Sequence, residues 1–220
     1  TRVAVVGRDF IGLKPSMEIA VGDHVVLGQP LFTDRKNPGV RFVAPGTGTI
    51  STVNRGERRI LQSVVIDLDD PAEDASPETF NRWTAEAIGE LNTTQVRENL
   101  IASGLWVALR TRPFSRVPAV DGEADAIFIT ATDTNPLAPD PQIVIGHDAE
   151  AFRAGVAVLC RLADKPVHLC IGAGADIPAP QAENLVITEF AGPHPAGLAG
   201  THIHFLYPVD ANRTVWTIGY

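Results

Sequence analysis

The sequence predicts an α+β / α/β chain of two packed units: an all-β barrel-sandwich over residues 1–70 and an α/β domain over residues 95–220, joined by an acidic linker and helix over 71–94. Three observations carry this. In Val21–Val53, VGDHVVLGQPLFTDRKNPGVRFVAPGTGTISTV, short apolar runs alternate with the turn pairs Gly22-Asp23, Gly28-Gln29, Pro38-Gly39 and Pro45-Gly46. Turns this close limit each strand to about six residues, so apolar surface is buried only by folding strands over one another. From Asp67 to Ser76 hydrophobicity drops and acids cluster (DLDDPAEDAS), the composition of a linker. Beyond Asp125, continuous apolar runs alternate with an amphipathic stretch, the pattern of strand, helix and strand in a right-handed α/β layer.

The elements follow in order. Residues 2–6 (RVAVV) read as a strand, followed by a turn over Gly7–Gly12 and the segment Lys14–Ile19. Ile60–Leu68 is the closing strand, with Val64, Ile66 and Leu68 on one face. Before it, Arg55, Glu57, Arg58 and Arg59 make a charged hairpin tip, either a solvated turn or a docking point. Ser76 as N-cap and Pro77 at the first helical position, with Phe80, Trp83, Ala87, Ile88 and Leu91 at helical spacing, predict one helix. A second starts at Thr93 or Thr94, carries Val96, Leu100 and Ile101, and stops at Gly104. Leu105–Val120 has too many prolines for a helix and too many large apolar groups for free loop. Asp125–Ala131 is an apolar run expected of a parallel strand buried on both faces. Asp148–Ala163 is an amphipathic helix with Phe152, Val156, Leu159 and Leu162 inward, and strands are expected at 167–171, 184–190, 203–206 and 214–218.

Composition narrows function. The 220 residues are 45% hydrophobic, enough for real cores, and no run approaches the ~18 apolar residues of a membrane span. TRVAVVGRD lacks the length and cleavage-site character of a signal peptide, so the expectation is a soluble chain that meets membranes through partners. The net charge is -8 and the arginines are scattered along the chain, which argues against a nucleic-acid or anionic-lipid footprint. Cys160 and Cys170 read as reduced core thiols, and two thiols fall short of the about four an iron-sulfur cluster needs. The start at Thr1 and the apolar end TVWTIGY make the sequence look like a fragment.

Two constellations could carry chemistry. Gly172-Ala173-Gly174-Ala175-Asp176 follows a strand, where a dinucleotide loop sits, but the third glycine is missing and Ile177-Pro178-Ala179-Pro180 denies the site its helix. The other is Gly192–His204, GPHPAGLAGTHIH. His202 and His204, two apart on a strand, would project from one face as an imidazole pair with His194 as a third; alternatively the imidazoles hydrogen-bond within a loop. No nucleophile elbow or catalytic triad is recognisable, so no catalytic residue and no metal ligand is assigned.

The pattern V-x-G-D-x-V-x-x-G-Q-x-L-F followed by A-P-x-x-G-x-I resembles half of a biotinyl/lipoyl-like domain, which would place Lys36 near the modified lysine of carrier proteins. Its neighbours Arg35 and Asn37 lack the carrier context. GRDFIGLKPSMEIAVGD, DRKNPGVRF, NRGERRILQSVVI, TATDTNPLAPDPQ and FAGPHPAGLAGTHIHFL together resemble the alpha subunit of the bacterial sodium-translocating NADH:quinone reductase. That resemblance implies a Rossmann-like second domain related to flavoprotein subunits of NADH dehydrogenases. It also implies a peripheral subunit on the cytoplasmic face of the inner membrane, partnered with the other subunits of a complex that oxidises NADH, reduces ubiquinone and exports Na+. FAD, FMN, riboflavin and iron-sulfur centres would sit on other subunits, with none on this chain. The loop residues His194, Gly197, Gly200, His202, His204 and Phe205 become candidates for contact with a quinone or a neighbouring subunit. The alternatives are a biotin or lipoate carrier fused to an α/β domain and a His-cluster metalloenzyme. Limited proteolysis is expected to cut between Asp69 and Ser76; cleavage inside Val21–Val53 with that linker intact would refute the boundary.

Overall fold

The computed structural model describes residues 1–70 and 76–220. Residues 71–75, where most of the expected cleavage segment falls, lie outside the described residues. The chain divides into two compact units. The first holds Thr1–Arg82, Arg97–Ala108 and Arg116–Asp121; the second holds Trp83–Val96, Leu109–Ser115 and Gly122–Tyr220.

In the first unit seven short strands form two sheets. β1 (Arg2–Val6), β3 (His24–Val25), β6 (Gly48–Arg55) and β7 (Leu61–Leu68) pair antiparallel in the order β1-β7-β6-β3. β2 (Pro15–Met17), β4 (Pro30–Asp34) and β5 (Arg41–Val43) pair antiparallel in the order β2-β4-β5. Alternation along the strands buries Phe32, Phe42, Ile50, Val64 and Ile66, and Leu31 is buried as well where the register of β4 shifts between Pro30 and Phe32, all six at 2% exposure or less. Phe32 stacks on Phe42 with centroids 4.6 Å apart, and Phe10 meets Phe42 edge-on at 4.7 Å. This is the expected barrel-sandwich.

Residues 97–108 and 116–121, assigned by the sequence to the second domain, group with this unit. Trp106 is fully buried and its indole N–H donates to the Pro118 carbonyl at 3.0 Å; Asn37 Nδ2 donates to the same carbonyl at 2.9 Å. Gly104, at φ +75, lies so close to β5 that a Cβ there would stand 2.5 Å from Val43 Cγ2. The helix expected over 77–91 does not form: residues 76–84 hold no helix and only Glu86–Glu90 make a 3-10 turn. Tertiary contacts override helical spacing, since Glu78 N–H donates to the Leu27 carbonyl at 2.8 Å and the Phe80 ring covers Gly28. The second helix does form, as α1 (Thr93–Ala102). Its cap is Asn92 rather than a threonine: Asn92 Oδ1 accepts from Gln95 N and Gln95 Oε1 accepts from Asn92 N, a reciprocal pair.

The second unit is an open sheet. β9 (Ala126–Ala131), β10 (Val167–Gly172), β11 (Leu185–Phe190) and β12 (Val215–Gly219) run parallel, and β8 (Arg110–Arg112) lies antiparallel at the edge, in the order β11-β10-β9-β12-β8. With β9 as the first parallel strand the order is 3-2-1-4, that of a doubly wound dinucleotide-type sheet. β9 is hydrogen-bonded on both sides and buried at five of its six positions, as its unbroken apolar run requires. α2 (Pro141–Gly146) is capped by Asp140, and α3 (Ala149–Leu162) by Asp148, with Val156, Leu159 and Leu162 buried. Burial pushes the free thiols up, Cys160 to about 11 and Cys170 to about 12, so both are inert core groups. The strand expected at 203–206 is instead the end of helix α4 (Ala199–Leu206). Ala126, Phe128, Cys170 and Val215 form an apolar sheet face, and Ile203 packs on it with Leu206 beside it.

Replacing Gly104 by alanine strains a left-handed backbone and drives a methyl into Val43, so urea unfolding should show a loss of about 1–3 kcal/mol. Gly89→Ala, which meets nothing within 4 Å, serves as the near-neutral control. Equal stability of the two variants would refute the packing of residues 97–108 on the barrel.

Candidate functional site

Ligands of open α/β sheets bind outside the carboxyl ends of the strands where the order reverses, here between β9 and β12. Chain leaves β9 through Thr132-Asp133-Thr134-Asn135. Asp133 Oδ1 accepts from both the backbone and side-chain nitrogens of Asn135 at 2.8 Å, which folds this exit loop tightly. Thr134 Oγ1 accepts from Gly197 N–H at 3.0 Å and lies 3.2 Å from His194 Nδ1. The hydroxyl therefore clamps the loop after β11 onto the exit of β9. Gly197 is required there, because a Cβ would sit 2.5 Å from Thr134 N.

The six loop candidates separate. His194, His204 and Phe205 are exposed, Phe205 at 70%, with the His204 ring edge-on to Phe205 at 5.1 Å. Gly200 is exposed and meets nothing within 4 Å, so neither packing nor a positive φ demands glycine. Gly197 and His202 are buried. His202 is fully inside: Nε2–H donates to the Ala196 carbonyl at 2.9 Å, the ring packs on Phe190 at 4.2 Å, and Nδ1 has no partner among the described residues. This corrects the expected imidazole pair. On a strand His202 and His204 would share a face; on α4 two residues rotate by about 200°, one inward and one outward. Among the described residues no group of three or more His, Cys, Asp or Glu is placed to hold a metal ion. Gly197 and His202, expected on the presented surface, are instead part of what supports the fold.

The glycine loop after β10 is closed by its own neighbours. Ala173 N–H donates to the Phe190 carbonyl at 3.1 Å, Gly174 N–H to Glu189 Oε2 at 3.2 Å, and Asp176 N–H to Gln142 Oε1 at 3.0 Å. Backbone donors that a pyrophosphate would need are thus occupied, one by a carboxylate, and no helix follows to add its positive end. Tyr220, just past β12, has its phenol pushed up by partial burial and then by the carboxylates of Asp133 and Asp140. Two carboxylates therefore stand near the Tyr220 phenol at this end of the sheet. Thr134, Asp133 and Tyr220 escape a sequence reading; the one signal is a run of Thr, Asp and Asn directly after a buried strand. His168 escapes it too: it is buried, stacked on Phe128 at 4.6 Å, with both ring nitrogens lacking partners among the described residues. Lys36 stands exposed on the β4–β5 turn, its backbone N–H bound to Asp34 Oδ1 at 2.9 Å.

A barrel-sandwich unit followed by a sheet with dinucleotide-type strand order, whose glycine loop is closed by its own neighbours, defines a two-unit protein of barrel-sandwich and α/β architecture. Residues 1–69 match the NqrA N-terminal barrel-sandwich hybrid domain, and residues 91–220 match the NqrA second alpha/beta domain. The chain belongs to the NqrA family. It is 54% identical over 220 residues, all of this chain and 48% of the relative, to a Neisseria gonorrhoeae protein named as the A subunit of the Na(+)-translocating NADH-quinone reductase. Proteins of the same name from Pasteurella multocida and Pseudomonas aeruginosa are 53% identical over 220 residues and 54% identical over 218, covering 100% and 99% of this chain and 48% of each relative. The chain spans about half the length of the curated relatives it matches.

Burial holds His202 below its ordinary value, against a smaller opposing effect of the Ala196 hydrogen bond, and burial likewise holds His168 down. For a base whose folded pKa is depressed, stability is complete above the unfolded value of 6.5 and is lost as pH falls below it, because the unfolded chain binds protons the folded one refuses. Thermal melting from about pH 7.5 down to about pH 5.5 should therefore show a steeper loss for the wild type than for the H168F/H202Q variant. Identical slopes would refute the buried neutral imidazoles.

Proposed function

We propose that this chain is part of the NqrA subunit of a sodium-translocating NADH:quinone reductase. In this reading it is peripheral, on the cytoplasmic face of a bacterial inner membrane, within an enzyme that couples NADH oxidation and quinone reduction to Na+ export. The observation that carries the proposal is the likeness to relatives of that name along the whole chain at 54% identity. Among the described residues no helix is long and apolar enough to cross a membrane, which supports attachment through partner subunits.

The subunit works without a redox group of its own, with flavins, riboflavin and iron-sulfur centres carried by its partners. Support comes from the 172–176 loop, whose donors are occupied internally, and from the two cysteines, whose thiols burial keeps protonated. Contact with a quinone headgroup or a neighbouring subunit falls to the exposed members of the α4 region: His194 beside the Thr134 clamp, and His204 with Phe205 on the outer face of the helix. An aromatic ring beside imidazole donors is the composition of a contact hot spot or of a quinone-covering wall.

The test uses the full-length subunit in a strain lacking it. His194→Ala with Phe205→Ala should leave expression and folding unchanged while lowering membrane NADH:quinone reductase activity, or retention of the subunit in the purified complex, by roughly threefold to tenfold. Full activity with normal assembly would overturn the contact assignment. Failure of the unaltered chain's own full-length protein to restore activity would overturn membership of the enzyme.

A further inference from the structure

Seven of the eighteen basic side chains line one open groove of about 1140 Å³ on the barrel-sandwich unit. Arg8 and Lys14 come from the segment after β1, Arg35 and Lys36 from the β4–β5 turn, and Arg55, Arg58 and Arg59 from the β6–β7 tip. All seven are exposed, none forms an ion pair with a described residue, and no carboxylate is among the lining residues. Asp34 Oδ1 accepts from the backbone N–H groups of Lys14 and Lys36 at 3.0 and 2.9 Å, and Asp34 is not among the residues that line the groove. The tip holds Arg58 and Arg59 at φ 53 and 61, a left-handed pair of non-glycine residues that costs energy, while Arg55 Nη1 donates back to the Arg59 carbonyl at 3.2 Å. Cations that look scattered in a sequence of net charge -8 are brought together by three chain segments.

Seven exposed like charges repel one another, and no carboxylate among the described residues forms an ion pair with any of them. Between them stand Ile11 and Ile60, 56% and 61% exposed, so the surface is amphipathic as well as basic. The groove exceeds the ~300–1,000 Å³ of ordinary small-ligand pockets, and its cations are spread over three segments instead of converging on one phosphate-sized point. A flat bilayer meets the rims of a concave surface and leaves its interior unfilled. We infer that this groove docks an acidic, partly apolar polypeptide segment of a partner chain. Carboxylates of that segment pair with the arginines, whose forked donors match them, and its apolar side chains cover Ile11 and Ile60. The site lies on a different unit from the α4 contact region and stands or falls separately from it.

The probe is a fluorescein-labelled peptide of about a dozen residues, alternating Glu with Leu, titrated with the 220-residue chain and followed by anisotropy. Binding should weaken at least tenfold between about 50 and about 300 mM salt. It should also weaken at least tenfold in R58E/R59E, and in K14E/R35E, which alters the opposite segments and guards against a local folding defect at the tip. The matching Gln-Leu peptide should not bind. Absence of peptide binding, or equal binding by both charge-reversed variants and the wild type, overturns the inference. Displacement of the peptide by inorganic pyrophosphate at equimolar concentration, or tighter partitioning onto phosphatidylglycerol vesicles than onto the peptide, also overturns it in favour of a phosphate or a lipid surface.

Discussion

Among the described residues no strand is long enough to bury an apolar face by itself; the longest of them, β6 and β7, have eight residues each. Every strand therefore depends on a second layer, and the identity of that layer decides each unit's form. In the barrel-sandwich unit the second layer is another sheet, and the Phe10-Phe42-Phe32 stack fills the space between. In the α/β unit α4 covers the sheet through Ile203, and β9 can be apolar at almost every position because it is enclosed. Remaining gaps are filled by distant segments: Phe80 over Gly28 and residues 97–108 along β5.

The same dependence shapes the surface. At the carboxyl ends of the sheet the loop after β11 has to be held down for α4 to seat, and the Thr134 hydroxyl with Gly197 holds it. His202 belongs to that support, donating to Ala196 from inside, while His194, His204 and Phe205 are left facing outward. The strand order of a dinucleotide-binding sheet is present, yet the amides of the loop after β10 are consumed by Glu189, Gln142 and a carbonyl. A fold of this kind supplies a site only where its loops leave donors free.

Charge is distributed with equal consequence. Asp133 and Asp140 stand near the Tyr220 phenol, whereas the groove on the barrel-sandwich unit is lined by seven cations and no acid. An average over the chain, net charge -8, describes neither surface. Local potential depends on which side chains the turns bring together, and hairpin tips bring together residues some fifty positions apart, as with Arg8 and Arg58.

Sequence by itself determined the elements whose burial demands a period: Ala126–Ala131, enclosed on both faces, has to be continuously apolar, and Ala149–Leu162 has to repeat its apolar groups every three to four residues. It also determined the turns, since Gly22, Gly28 and Gly39 all adopt the positive φ that glycine permits at low cost. Only the tertiary structure decided the rest. Ala199–Leu206 is compatible with strand or helix over so few residues, and the apolar face of Phe128 and Cys170 selected the helix that turns His202 inward. Phe80 has helical spacing with its neighbours, but its ring lies half-buried over Gly28 of the barrel instead. The basic groove and the Thr134 clamp arise from residues far apart in the chain, and their proximity is a property of strand order and turn position, which local propensity does not encode.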